Sequence, residues 1–357
     1  MKDILINFGS SALGNNAIFN DDINGMNDPW KLLRVKLFEL GYNLKTADQN
    51  DLKNCALVFF VDGDSLGNEI KHPITSILSL IKSLLKKKAE TKRDLYKECS
   101  EYRSKDKMVL FLWEGNSVKP YNYTKRLHDK FSVIFTWNDD LVDNKKFFKF
   151  YLPIPKHTQA TMAIPFNQKK LLTNISFNKY SSYKNELYSA RRRSISYFND
   201  NYPADFDLYG LRWNRPVTRL QTMFPFLVKK YSTFRGHAKN KIDILSQYKF
   251  NICYENISDA KGWVTEKIFD SLRAGIVPIY WGAPNIGQYV DIDAFIDRRQ
   301  FKNNADLAKY LKQMTEKEYG KYITAGKYYM QSEKYAKFLP NSFCEQIIDI
   351  LKLKQII

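Results

Sequence analysis

The sequence predicts an α/β protein of two parallel-sheet domains in series. Three observations carry that reading. Tyr248–Ile286 sets a strand, a loop, a helix, a second strand and a turn into 39 residues, the order of a β-α-β unit. Short, continuously apolar runs between turn residues recur in both halves, as buried parallel strands require. The chain has 357 residues, enough for two domains, and Pro153, Pro155 and Pro165 mark irregular chain between them.

Asp3–Phe8 reads as a short strand. Gly9 to Gly14 has the spacing of a phosphate loop, but Asn15-Asn16 stands where Lys-Ser or Lys-Thr must follow, so that reading is rejected. Trp30–Leu40 is helical, with Leu33, Leu37 and Leu40 on one face and Gly41 as its stop. Leu57–Val61 is a buried strand that ends at Asp62-Gly63-Asp64. The same Asp-x-Asp pattern recurs at Asp205-Phe206-Asp207 and Asp291-Ile292-Asp293, so it reads as loop carboxylates rather than metal ligands. Ile74, Ile77, Leu78, Ile81, Leu84 and Leu85 form a helical stripe. From Lys82 to Lys107 ten Lys or Arg stand against five Asp or Glu. A solvated helix face is the plainer reading of that segment; a basic surface for anionic lipid is the other.

Met108–Trp113 is the next buried strand, and Glu114 stands at its carboxyl end, the edge that faces the ligand crevice in an open α/β sheet. Val133–Trp137 is another strand. In the second half, Leu171–Phe177 reads as a strand, and Glu186–Phe198 as a helix with Arg191-Arg192-Arg193 near its start. Asp207–Tyr209 is a strand closed by Gly210. Ala294–Ile296 is a short strand, Ala305–Met314 a helix and Phe343–Leu353 a terminal helix. The domains fall at 1–155 and 156–340, with a C-terminal helix over 341–357.

Within the central stretch, Tyr248–Tyr254 alternates and is aromatic-rich, as a strand does. Thr265 is a good N-cap, Ile268, Phe269 and Leu272 follow at helical spacing, and Gly275 ends the helix before the apolar run Ile276–Tyr280. Lys267 falls in the first helical turn, where the macrodipole disfavours a cation. Its presence there predicts an anion at the same place, with a phosphate as the candidate. Glu266 beside it is favoured by the dipole and suits a ribose hydroxyl.

Composition narrows the function. The chain is 44% hydrophobic and 26% charged, as a globular protein is. Four scattered cysteines, Cys55, Cys99, Cys253 and Cys344, have no metal-type spacing and read as reduced thiols. The net charge of +18 attracts polyanions: nucleotide-sugars, an anionic leaflet or nucleic acid. No nucleic-acid-binding motif appears, so nucleic acid is set aside. No secretory segment opens the chain, and no run reaches the roughly 18 apolar residues of a spanning helix. A bacterial cytoplasmic enzyme, peripheral at the inner membrane face through 82–107, is the expectation.

The residues Tyr248-Lys249-Phe250, Glu255-Asn256, Gly262-Trp263-Val264-Thr265-Glu266-Lys267 and Pro278-Ile279-Tyr280-Trp281-Gly282-Ala283-Pro284 together resemble the signature of the α1,3/α1,4-fucosyltransferase family, glycosyltransferase family 10. Trp263 stands where that family usually has Tyr. Leu110–Asn116 is similar to the family's strand followed by Glu, Gly and Asn, although some relatives read Gly-Glu-Asn. The resemblance runs from Lys107 to Phe301. It implies the GT-B architecture, two Rossmann-like domains facing a cleft, with acceptor on the first and GDP-sugar on the second. It further implies an inverting enzyme that needs no metal and moves L-fucose from GDP-fucose to a hydroxyl of a surface glycan. The same fold with another GDP-linked deoxysugar is the alternative, and a non-catalytic nucleotide- or glycan-binding protein the less favoured one.

Such a transfer needs a base for the acceptor hydroxyl and fixed cations for the departing diphosphate. The base is Glu114, with His128 and His157 as weaker candidates. Lys267 and one arginine, Arg191 or its rival Arg192, hold the diphosphate by resemblance. Glu266 holds the ribose, Asn256 and Trp263 frame the sugar or base, and Lys239 is a further donor contact. Glu255 reads evenly as a ligand contact or as a brace for the loop that presents Asn256.

Overall fold

The computed structural model describes residues 1–22, 25–50, 52, 54–66, 94–102, 107–155 and 164–357. These divide into two compact units, 1–150 with 343–357, and 151–342.

In the first unit six strands form one wholly parallel sheet. They are β1 (Lys2–Asn7), β2 (Tyr42–Thr46), β3 (Leu57–Val61), β4 (Met108–Leu112), β5 (Val133–Thr136) and β6 (Phe147–Lys149), in the order β2-β1-β3-β4-β5-β6. β3 and β4 are buried along their whole length, which is why each is apolar at every position. Helix α1 (Asp28–Glu39) carries Pro29 in its first turn, where the missing N–H costs nothing, and buries Trp30, Leu33 and Leu37. Leu40 and Gly41, expected in this helix and at its stop, follow its end, and Gly41 takes φ +86°. Short helices α2 (Leu95–Tyr102) and α3 (Lys125–His128) flank the sheet.

The second unit carries a five-stranded parallel sheet of β7 (Lys170–Phe177), β8 (Phe206–Leu211), β9 (Tyr248–Tyr254), β10 (Val277–Trp281) and β11 (Ile296–Asp297), in the order β11-β10-β9-β7-β8. Its helices are α4 (Tyr188–Asn201), α5 (Arg219–Met223), α6 (Lys241–Leu245), α7 (Glu266–Arg273), α8 (Asn304–Gln313), α9 (Glu316–Tyr329) and α10 (Glu333–Ala336). The chain returns to the first unit through α11 (Pro340–Leu353). Phe343 on α11 packs edge-on against Trp30, 5.3 Å between ring centroids, and against Trp113 and Phe150.

The fold departs from the sequence reading in several places. The short strand expected over Ala294–Ile296 is Ile296–Asp297, and Ala294 ends a tight helical turn, Ile292–Ala294. Gly210 does not end β8: it pairs with Ser176 inside the ladder at φ +126°, and a Cβ there would run into the Ser176 carbonyl. Helix α9 was not expected, although Thr315 and Glu318 make a reciprocal capping box at its start. The helical stripe over 74–85 lies outside the described residues.

Candidate functional site

Strand β7 leads to β8 on one side of the second sheet and, after it, to β9 on the other. This reversal opens a crevice at the carboxyl ends of β7 and β9, where open α/β sheets bind ligands. Glu255-Asn256 follow β9 at that edge.

Glu255 is fully buried and organises the site. Its carboxylate accepts from the Thr265 backbone N–H at 2.9 Å, from Thr265 Oγ1 at 2.9 Å and from Lys267 Nζ at 3.1 Å. Thr265 occupies the N-cap position of α7, but its hydroxyl donates to Glu255 instead of capping the helix. The anion beside the misplaced cation is therefore Glu255, supplied by the protein itself. Of the two readings of Glu255, this geometry is the brace. Lys267 Nζ also donates to Thr265 Oγ1 at 2.9 Å and lies 3.7 Å from Glu266. Burial alone would lower the Lys267 pKa, but the Glu255 and Glu266 carboxylates outweigh it and hold the ammonium protonated. Burial acts to raise Glu266, and Lys267 and Lys241 overcome it, pulling that carboxyl down to about 2.

The glycine of the Trp-Gly-Ala-Pro turn is required by this packing. A Cβ on Gly282 would lie 2.5 Å from Glu255 Cγ and meet the Tyr280 hydroxyl. Tyr280 Oη in turn accepts from the Ala283 N–H at 3.0 Å. Strand, helix start and turn thus converge on one carboxylate.

Arg191, one turn into α4, is buried, and its Nη2 donates to the Tyr254 carbonyl and to the Glu255 carbonyl at 2.9 Å. Nε and Nη1 of this guanidinium have no hydrogen-bond partner among the described residues. Arg192 points elsewhere, to the Lys179 carbonyl and to Ser189 Oγ at 3.1 Å. Asn256 is half-buried and its carbonyl accepts from the Leu187 N–H at 2.9 Å; Trp263 is buried. Lys239 is exposed just before α6. The site residues of this unit brought together by hydrogen bonds or an ion pair are Glu255, Lys267, Glu266 and Arg191.

In the first unit Glu114 is half-buried just past β4. Its backbone is fixed from Asp62, which sequence reasoning dismissed as a loop carboxylate. Asp62 is buried at φ +61°, and its Oδ1 accepts from the N–H groups of Trp113 at 2.7 Å and Glu114 at 3.0 Å and from Asn122 Nδ2 at 2.7 Å. Lys119 Nζ bridges Asp62 at 3.0 Å and Asp64 at 2.8 Å. The other two Asp-x-Asp pairs also have structural partners. Asp207 is held by Lys170, Arg235 and Tyr248, and Asp291 caps the Asp293 N–H. His128 packs its ring on Phe147 and places Nε2 2.7 Å from the Asn122 carbonyl; burial lowers its pKa. His157 lies outside the described residues.

Residues 208–355 match the model of the glycosyltransferase family 10 (fucosyltransferase) C-terminal domain. Over 81 residues, 23% of this chain and 17% of the relative, the sequence is 41% identical to the alpha-(1,3)-fucosyltransferase FucT of Helicobacter pylori. Over 93 residues, 26% of this chain and 23% of the relative, it is 33% identical to the alpha-(1,4)-fucosyltransferase of Arabidopsis thaliana. The match thus spans about a fifth of the length of these relatives. In three dimensions the chain is similar to a crystal structure of an alpha1,3-fucosyltransferase, with TM-score 0.56 and 17% identity over 98% of this chain and 90% of that one. It is similar also to Anabaena Alr3699/HepE in complex with UDP and glucose, with TM-score 0.54 and 11% identity over 99% of both chains. At those identities the likeness is one of fold: two parallel-sheet α/β units, as in GT-B glycosyltransferases. The motif-bearing strand-helix-strand unit lies within residues 208–355, the part of the chain that matches the glycosyltransferase family 10 (fucosyltransferase) C-terminal domain.

Proposed function

We propose that the chain is an inverting fucosyltransferase that uses GDP-fucose and modifies a hydroxyl of an acceptor glycan, in α1,3 or α1,4 linkage, in surface polysaccharide or lipopolysaccharide synthesis. The supporting observation is the Glu255–Thr265–Lys267 arrangement at the carboxyl edge of the second sheet, within the matched family domain. Glu114 takes the acceptor proton, and the hydroxyl oxygen attacks the anomeric carbon. The bond from that carbon to the diphosphate breaks, and its electron pair leaves on the β-phosphate oxygen. Arg191, through Nε and Nη1, and Lys267 stabilise that charge without a metal, and Glu266, kept ionised, accepts from a ribose hydroxyl.

GDP release from a panel of GDP-sugars, with and without EDTA and across several acceptors, tests this reading. Turnover with GDP-fucose that survives EDTA is the expected outcome. Preference for another GDP-sugar would replace the donor, and loss of turnover in EDTA would end the metal-free mechanism.

Contact with an anionic membrane is part of the same proposal, at a different place from the segment 82–107, which lies largely outside the described residues. Among the described residues no helix is long and apolar enough to cross a membrane. From Leu208 to Ile242 the chain has eight Lys or Arg and no Asp or Glu. Within it Leu220, Met223, Phe224, Phe226 and Leu227 are exposed, Phe226 at 81%. Arg212, Arg215, Arg219, Lys229 and Lys230 flank them and are exposed too. Apolar side chains rimmed by cations suit an anionic bilayer surface, each cation adding about 1 kcal/mol. The full chain should sediment with phosphatidylglycerol vesicles and not with phosphatidylcholine, and Met223→Ser/Phe226→Ser should weaken that binding at least about tenfold. Unchanged binding by the double variant, or an apolar patch that joins two copies of the chain instead, would refute this placement.

A further inference from the structure

A cavity of about 490 Å³ opens at the amino-terminal edge of the second sheet. Phe166 and Lys169 precede β7, Gly275 and Ile276 precede β10, Arg273 ends α7, and α9 closes one side. Donor ligands of open α/β sheets sit at the opposite, carboxyl edge, so this cavity is separate from the site described above. Its volume lies within the roughly 300–1,000 Å³ of small-molecule sites.

The walls are mainly apolar, from Phe166, Leu272, Tyr319, Ile323 and Met330. Glu316 and Lys327 also line it, and Lys169 has donors to spare. Lys169 Nζ bonds to the Gly275 carbonyl at 3.3 Å, and no carboxylate lies within ion-pair distance of it among the described residues. An ammonium has three donors, and capping the end of α7 occupies one. Burial lowers the Lys169 pKa to about 8, with no anion to restore it. Arg273 is 4% exposed. Its Nε donates to Tyr335 Oη at 3.0 Å and its Nη2 to the Pro155 carbonyl at 2.6 Å. Nη1 is buried and has no partner among the described residues. That nitrogen is closed off from the cavity, so the cation an anion in the cavity would meet is Lys169.

We infer that this cavity binds a compact amphiphile, an apolar ring or short chain carrying one carboxylate or phosphate, with the anion on Lys169 and the apolar body against Phe166 and Tyr319. Gly320 on α9 lines the same space, and a Cβ built there meets nothing within 4 Å. A larger side chain at this position fills the cavity without a clash at its root, and removing a helix-interior glycine favours α9.

Binding of benzoate, phenyl phosphate and the neutral benzyl alcohol to the full chain, followed by calorimetry with and without GDP, tests the inference. One or both anions should bind saturably with Kd below about 1 mM, at least about tenfold tighter than the alcohol. Preference between the anions names the head group. Binding should be indifferent to GDP, weaken as pH rises past the Lys169 midpoint, and be lost in both Lys169→Met and Gly320→Leu. Absence of saturable binding, binding retained by both variants, or displacement of the anions by GDP would overturn it. Displacement by GDP would also place these anions in the donor crevice, whereas failure of GDP itself to bind bears only on the proposed donor.

Discussion

Lys267→Ala should lower kcat/KM by about 10²–10³-fold, the loss seen when one fixed donor to a developing negative charge is removed. The same change strands the buried Glu255 carboxyl, which burial already holds above its usual range and which Lys267 no longer pulls down, at a cost of about 3–5 kcal/mol of stability. The two losses separate in a double variant. Lys267→Ala/Glu255→Gln removes the stranded carboxyl and should recover much of the stability while activity stays low. Steady-state kinetics beside urea denaturation reads both. A double variant that regains stability and turnover together would make Lys267 a brace for Glu255 and nothing more.

Gly210→Ala should destabilise the second unit by roughly 3–5 kcal/mol, combining a strained backbone with an overpacked strand pair. The left-handed φ of +126° and the Ser176 carbonyl act together there. Gly236 supplies the comparison: its φ is +88°, and a Cβ would meet nothing within 4 Å. Gly236→Ala should therefore cost only about 1 kcal/mol, the conformational part alone. Thermal unfolding of the two variants measures the difference, and equal losses would show that the Ser176 contact yields.

Much of the fold was legible in the sequence where one physical signal dominates. β3 and β9 fall on the residues expected, because continuous or alternating burial leaves a direct trace in residue type. Tyr42–Thr46 left no such trace: its Asn and Lys stand beside Leu in an edge strand with one half-covered face. Phe147–Lys149, three residues at the other edge, is too short to show a period. In α9 the glycines Gly320 and Gly326 mask a helix whose capping box was readable. The site divides the same way. Lys267 stood out because it offends the helix dipole, yet what answers it, Glu255, lies twelve residues earlier across a loop. No periodicity connects two such positions. Asp62 shows the limit more sharply, since its worth lies in backbone N–H groups fifty-one and fifty-two residues away.

Phe343 belongs to the unit that begins at Met1, while 192 residues of the other unit intervene. During synthesis the ring that completes the cluster around Trp30 and Trp113 is made last. The amino-terminal unit therefore waits on the ribosome with an open aromatic surface while its neighbour folds. Deleting residues 343–357 would leave that surface open for the life of the molecule.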